Sequence, residues 1–183
     1  FENPARRFRV PVGRRPLPRV PTERDVRRLL EQPDRSTVCG RRDRALLEML
    51  YSTGIRVGEL VRLDLPDADY GVSALRVKGK GGTERLVPLG RVCVDRLRDY
   101  LCEARPELAG WGQEVQALWL SRRGGRLSLT LVERLLRRHC RAAGIEPNIS
   151  PHGLRRAAAT HMLRNGASSL ALQEMLGHAS VRH

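Results

Sequence analysis

A chain of 183 residues is sized for one domain that buries about two-thirds of its unfolded surface. Its formal charge of +14 and pI near 11.2 call for a polyanionic partner, nucleic acid ahead of an anionic membrane surface. With no run of about 18 apolar residues and no signal-peptide core, a helical membrane span is excluded, and a cytoplasmic, nucleoid-associated bacterial protein is the expectation.

Residues 1–20 are rich in arginine and proline and carry no apolar period, so they read as an extended basic linker, with the main domain over 21–183. Such a linker could follow a DNA backbone or simply be a tolerated arm. Thr22 is a good N-cap for a helix that runs to Pro33. A second helix is predicted over 41–52, ended by Gly54, and a short third over 57–63 with Leu60 and Leu63 inward. Residues 73–89 change period: Leu75 and Val77 alternate with polar residues, Gly79–Gly82 turns, and Leu86-Val87-Pro88-Leu89 returns as the second strand of a β-hairpin. A helix over 91–105 follows, then a short strand at 117–120 before the Arg123-Gly124-Gly125 turn. Ser128 caps a helix ending at Ala143 and Gly144. Ser150 and Pro151 open the next, to Asn165-Gly166, and Ser168 or Ser169 the last, ending at Gly177. The predicted fold class is mostly α with a small antiparallel β-hairpin or sheet.

The four cysteines show no C-x-x-C pair. Cys93 and Cys102 fall in an amphipathic pattern that predicts buried free thiols, and His139-Cys140 has no second ligand pair for zinc. Of 34 basic residues only Lys78 and Lys80 are lysines. Arginine cannot release a proton during turnover and lysine can, so a lysine kept in an arginine-biased chain points to acid chemistry. That argument selects Lys80, at a glycine-flanked hairpin tip, while chance retention remains the alternative. A phosphate-binding P-loop is excluded, because Gly79 has no glycine five residues before it and no Ser or Thr follows Lys80.

Pro151 puts His152 in the first turn of a helix, with Arg155 three residues on and on the same face. The pair suits a phosphate oxygen, although a surface pair has the same spacing. Arg56 opens a helix after Gly54. It can pair with Glu59, and that pairing is compatible with a guanidinium edge turned to a phosphate. His161 is spaced as a packed histidine, His139 and His183 show no constellation, and His178 follows Gly177 just beyond a helix.

The order Arg, Lys, His-x-x-Arg, His resembles the catalytic domain of tyrosine site-specific recombinases, and most of all bacterial Xer-type and mobile-element integrases. The resemblance covers about residues 20–183. It rests on Thr53-Gly54-Ile55-Arg56-Val57-x-Glu59-Leu60, on Val77-Lys78-Gly79-Lys80-Gly81-Gly82-Thr83-Glu84-Arg85-Leu86-Val87-Pro88-Leu89, and on Pro151-His152-x-Leu154-Arg155-x-x-x-Ala159-Thr160-His161. It implies catalytic roles for Arg56, Lys80, His152, Arg155 and His178 and a supporting one for Glu59. Lys78, Arg85 and Arg156 are expected to bind DNA. Arg156 stands where the family often has a histidine.

The resemblance further implies metal-independent, cofactor-free breakage and rejoining of double-stranded DNA at a specific recombination site, through a 3′-phosphotyrosyl intermediate, by a tetramer. The family's tyrosine is expected a short stretch beyond His178, and Tyr51, Tyr70 and Tyr100 do not match it. The 183 residues are therefore expected to lack the nucleophile and the separate N-terminal clamping domain, and to be inactive and monomeric alone. A DNA-binding module without its own catalysis and a type IB topoisomerase are the competing functions.

Overall fold

Side-chain caps set most helix starts in the computed structural model, which describes residues 20–69, 71–79, 82–110 and 116–177. Thr22 Oγ1 accepts from the Asp25 amide at 3.1 Å and opens α1 (Glu23–Glu31). Helix α2 (Val38–Thr53) begins earlier than predicted because Thr37, not a residue beside Arg41, is its cap, accepting from Gly40 N at 3.0 Å. Gly54, at φ +60, ends it in the left-handed region that glycine enters without strain. Helix α3 (Val57–Leu60) is one turn and stops short of the predicted Leu63, yet Leu60 and Leu63 are both buried as expected.

The hairpin forms in the predicted place, with β2 (Ala74–Lys78) antiparallel to β3 (Glu84–Pro88). A two-residue strand, β1 (Ala68–Asp69), adds to the far edge of β2 and makes a three-stranded sheet in the order β1-β2-β3. So short a strand carries no period of its own and was not predictable. Val77 lies opposite Arg85, and Leu75 opposite Val87.

Beyond the sheet, the helix predicted to end at Arg105 continues. Helix α4 (Arg91–Asp99) passes through a π-helical turn, Tyr100–Ala104, into α5 (Arg105–Ala109). Pro106 has no N–H to donate to the preceding turn and its ring crowds that turn's carbonyl, so the backbone widens there and goes on. Cys102 sits on this turn and is exposed, against the expectation of burial, whereas Cys93 is buried. Burial pushes the Cys93 thiol up to about 11.

Residues 117–120 are not the predicted strand. Asp64 pairs with Ala117 and Leu120 with Arg126 as isolated bridges, and the run is wholly buried. Backbone groups of the run are met by other elements: Leu118 N donates to Leu63 O at 2.9 Å, and Tyr100 Oη donates to Leu118 O at 3.0 Å. Trp119 stacks on Tyr100 at 5.2 Å. Helices α6 (Leu129–Ala142) and α7 (Pro151–Arg164) start at Ser128 and Ser150, the predicted caps, and α8 (Ser169–Leu176) at Ser168, one of its two candidates.

Helix α2 is the spine. Ala45, Leu46, Leu47, Met49 and Leu50 are buried on all sides of it, and it packs on α1, α4 and α7. Each such leucine adds roughly 1.5–3 kcal/mol relative to exposure. The end of α2, the start of α3 and the side of α7 are thereby fixed against one another.

Candidate functional site

Arg56 follows the Gly54 turn and is the N-cap residue of α3. Its backbone N–H donates to Glu59 Oε2 at 2.8 Å and its Nη1 to Glu59 Oε1 at 3.2 Å, so the predicted pairing is present. The Arg56 side chain is still 50% exposed, which leaves a guanidinium edge facing outward. Glu59 is buried and grips a second cation: Arg85 Nη1 and Nη2 donate to its two oxygens at 3.0 and 2.9 Å. Burial alone would raise the Glu59 carboxyl. The hydrogen bonds from Arg85 and Arg56 and the Arg85 charge outweigh it, and the group lies below its ordinary value.

Arg155 reaches this cluster from α7. Its Nη1 donates to Gly54 O at 2.6 Å and its Nη2 to Leu176 O at 2.8 Å, joining the ends of α2 and α8. Burial lowers its pKa, the Arg56 charge lowers it further, Glu59 opposes, and Arg85 adds to the lowering. The Gly54 carbonyl that Arg155 binds lies two residues before Arg56, so the two arginines share one locale. A site that keeps three cations, Arg56, Arg85 and Arg155, together around one carboxylate has an excess of positive charge that a phosphate would relieve.

His152 lies exposed in the first turn of α7, whose cap Ser150 Oγ accepts from Gly153 N at 3.0 Å. It lines a small cavity with Arg156, Pro147 and Asn148, and Arg156 is half-buried there. Lys78 is exposed at the end of β2, opposite Glu84. Lys80, His178 and Tyr70 lie outside the described residues, as do positions 1–19 of the predicted linker. Arg85, expected to face DNA, turns inward instead: its side chain is 16% exposed, and its Nε donates to Met175 O at 2.9 Å in addition to the Glu59 bonds. The sequence held that signal. Arg85 is two residues from buried Val87 on the same strand and so shares its face.

Two of the tyrosines are engaged elsewhere. Tyr100 is in the core and burial pushes it up to about 12. Tyr51 Oη lies 3.0 Å from Nδ1 of His161, which is buried as predicted. His139, for which the sequence showed no constellation, belongs to a buried polar cluster: its Nε2 is 3.0 Å from Asp43 Oδ2, and Arg42 and Arg138 also hold Asp43. Asp43 and His139 come from different helices, so no spacing could reveal the contact. Four arginines missed as a group, Arg134, Arg137, Arg138 and Arg141, form an exposed stripe along α6. Among the described residues no three His, Cys, Asp or Glu side chains are grouped to hold a metal, and no helix is long and apolar enough to cross a membrane.

The chain is similar to tyrosine recombinase XerD of Mycobacterium tuberculosis, with 44% identity over 182 residues. The match takes in 97% of this chain and 58% of that relative's length. Among solved structures, a crystal structure of XerA recombinase has a TM-score of 0.79 at 34% identity, over 90% of this chain and 58% of that one. XerH site-specific recombinase, in a post-cleavage complex with its palindromic difH substrate, has a TM-score of 0.75 at 26% identity, over 90% of this chain and 47% of that one. Residues 19–183 match the phage integrase family, so with the arginine pair and its carboxylate in place the chain belongs to that family.

Proposed function

We propose that this chain is the DNA-cleavage domain of a site-specific tyrosine recombinase, acting on double-stranded DNA at a defined recombination site. The observation that carries the reading is the convergence of Arg56 and Arg155, from α3 and α7, around the Gly54 turn and Glu59. Both guanidinium groups would hold non-bridging oxygens of the scissile phosphate and stabilise the pentacoordinate transition state, each contributing about 10²–10³-fold in rate. A tyrosine oxygen attacks phosphorus, the new phosphotyrosyl bond forms as the P–O5′ bond breaks, and Lys80 gives the leaving 5′ oxygen its proton. His152 assists removal of the tyrosine proton, and His178 donates a hydrogen bond to the phosphate. Glu59 keeps Arg56 in place. Lys78 and Arg156 are assigned to the DNA backbone, and the whole protein to a tetramer that pairs two sites. XerH bound to its difH substrate supports DNA as the partner.

The test uses the full-length protein and nicked suicide duplexes bearing a site selected from a randomised pool by binding. A covalent adduct formed with chelator present, and mapped by mass spectrometry to a tyrosine, is expected. Lys80→Arg should bind as tightly, lose most cleavage, and recover on a substrate with a 5′-bridging sulfur, whose departure needs no proton. Near-normal cleavage of the oxygen substrate by that variant removes Lys80 as the acid. Supercoil relaxation without recombinant products would favour the topoisomerase function, and binding without any adduct a non-catalytic module.

A further inference from the structure

Arg85 joins three segments that supply the site. It leaves β3, in the hairpin that carries Lys80, and chelates Glu59, which in turn holds both the backbone and the side chain of Arg56. Its third bond, to Met175 O, anchors the last turn of α8. Gly177 lies flat against the same guanidinium: a Cβ there would stand 3.0 Å from Arg85 Cζ and Nη1, closer than side chains normally pack. A Cβ on Gly79 would meet Thr83 first, at 2.9 Å, and Arg85 Nη1 only at 3.9 Å. Gly79 and Gly177 directly precede Lys80 and His178 in the sequence. One inward-facing fork therefore binds the carboxylate that holds Arg56 and packs against the end of α8, directly before His178 in the sequence.

We propose that Arg85 is a positioning residue that, without contacting DNA, sets Arg56 through Glu59 and sets the end of α8, and so fixes the relative placement of the cations around the scissile phosphate. The inference rests on the recombinase reading above. A lysine could supply the charge but not the planar fork that reaches two carboxylate oxygens and a carbonyl at once.

The experiment is single-turnover cleavage of the suicide duplex by the full-length protein, its Arg85→Gln and Arg85→Lys variants, and Glu59→Gln with and without Arg85→Gln. Both Arg85 variants should cleave about 10–100-fold more slowly, the scale seen when a residue that orients a working group is lost. Affinity for the duplex should stay within about twofold and its salt dependence should be unchanged. The double variant should cleave no more slowly than the worse single one, because both substitutions break the same linkage. If Arg85→Gln does not fold, Arg85→Lys carries the test by the same readings.

Weaker binding with a salt slope shallower by about one would make Arg85 a phosphate contact and overturn the proposal. So would full rescue by Arg85→Lys, additive effects with Glu59→Gln, or a smaller cleaved fraction at an unchanged rate constant, which is the mark of mere destabilisation. An absent adduct in the unsubstituted protein removes the recombinase reading, and this inference with it. An adduct there with an unaffected Arg85→Gln removes the inference alone.

Discussion

Glu59 holds two arginines from inside the protein, and its charge is what keeps them there. Because its folded-state pKa is depressed, the stabilisation it gives is complete above the unfolded carboxylate value of about 4.3 and is lost as pH falls through the lower folded value. Glu59→Gln should therefore cost roughly 2–3 kcal/mol at neutral pH, since it leaves two cations sharing a neutral acceptor. Urea unfolding of the two proteins from pH 7 down to pH 3 checks this: the gap should be constant down to about pH 5 and narrow steadily below it. A gap independent of pH would mean that the side chain acts by shape and not by charge. The Arg155 group is also lowered, by burial first and then by its cationic neighbours, and its guanidinium still remains charged across this range.

At the level of elements, the Gly54 turn does two jobs. Its left-handed backbone stops α2, and its carbonyl, freed by that stop, accepts Arg155. A Cβ at this position would stand 2.7 Å from Leu176 Cδ2, so Gly54→Ala combines backbone strain with a push on the end of α8. The expected loss is about 1–2 kcal/mol, read as a lower urea midpoint at unchanged m-value. Elements with a strong local code were legible in the sequence. The serine caps of α6, α7 and α8 and the alternation of Leu75 and Val77 place four elements correctly, because capping and strand period act within a few residues. What was not legible depends on distant partners. The π-helical turn needs Pro106 read together with a helix that outlasts it, and β1 exists because β2 offers an edge. Residues 117–120 are buried without forming a strand, since distant groups such as Leu63 and Tyr100 supply their backbone hydrogen bonds. The arginine pair of the site was legible as a motif, while the inward turn of Arg85 was legible only through its strand face.

Over the whole molecule the charge of +14 is unevenly used. Arginines at the site and around Asp43, Arg138 among them, are paired internally, while Arg134, Arg137 and Arg141 of the α6 stripe face outward. DNA affinity should therefore fall steeply with salt, log K dropping by roughly 0.9 per phosphate contact for each decade of salt. Titration of a labelled duplex between about 50 and 200 mM salt measures it, and replacing Arg134 and Arg137 by glutamine should make the slope shallower. A flat dependence would contradict a basic binding face. Arg155 carries a different consequence. Stitched to the carbonyls of Gly54 and Leu176, it gives up its rotational freedom, of the order of 2 kcal/mol for an arginine, when the domain folds and not when a phosphate arrives. The entropic cost of aiming the guanidinium is thus settled in advance by the closure of three helices on one another. On the function proposed above, its remaining N–H groups would meet a phosphate already immobile.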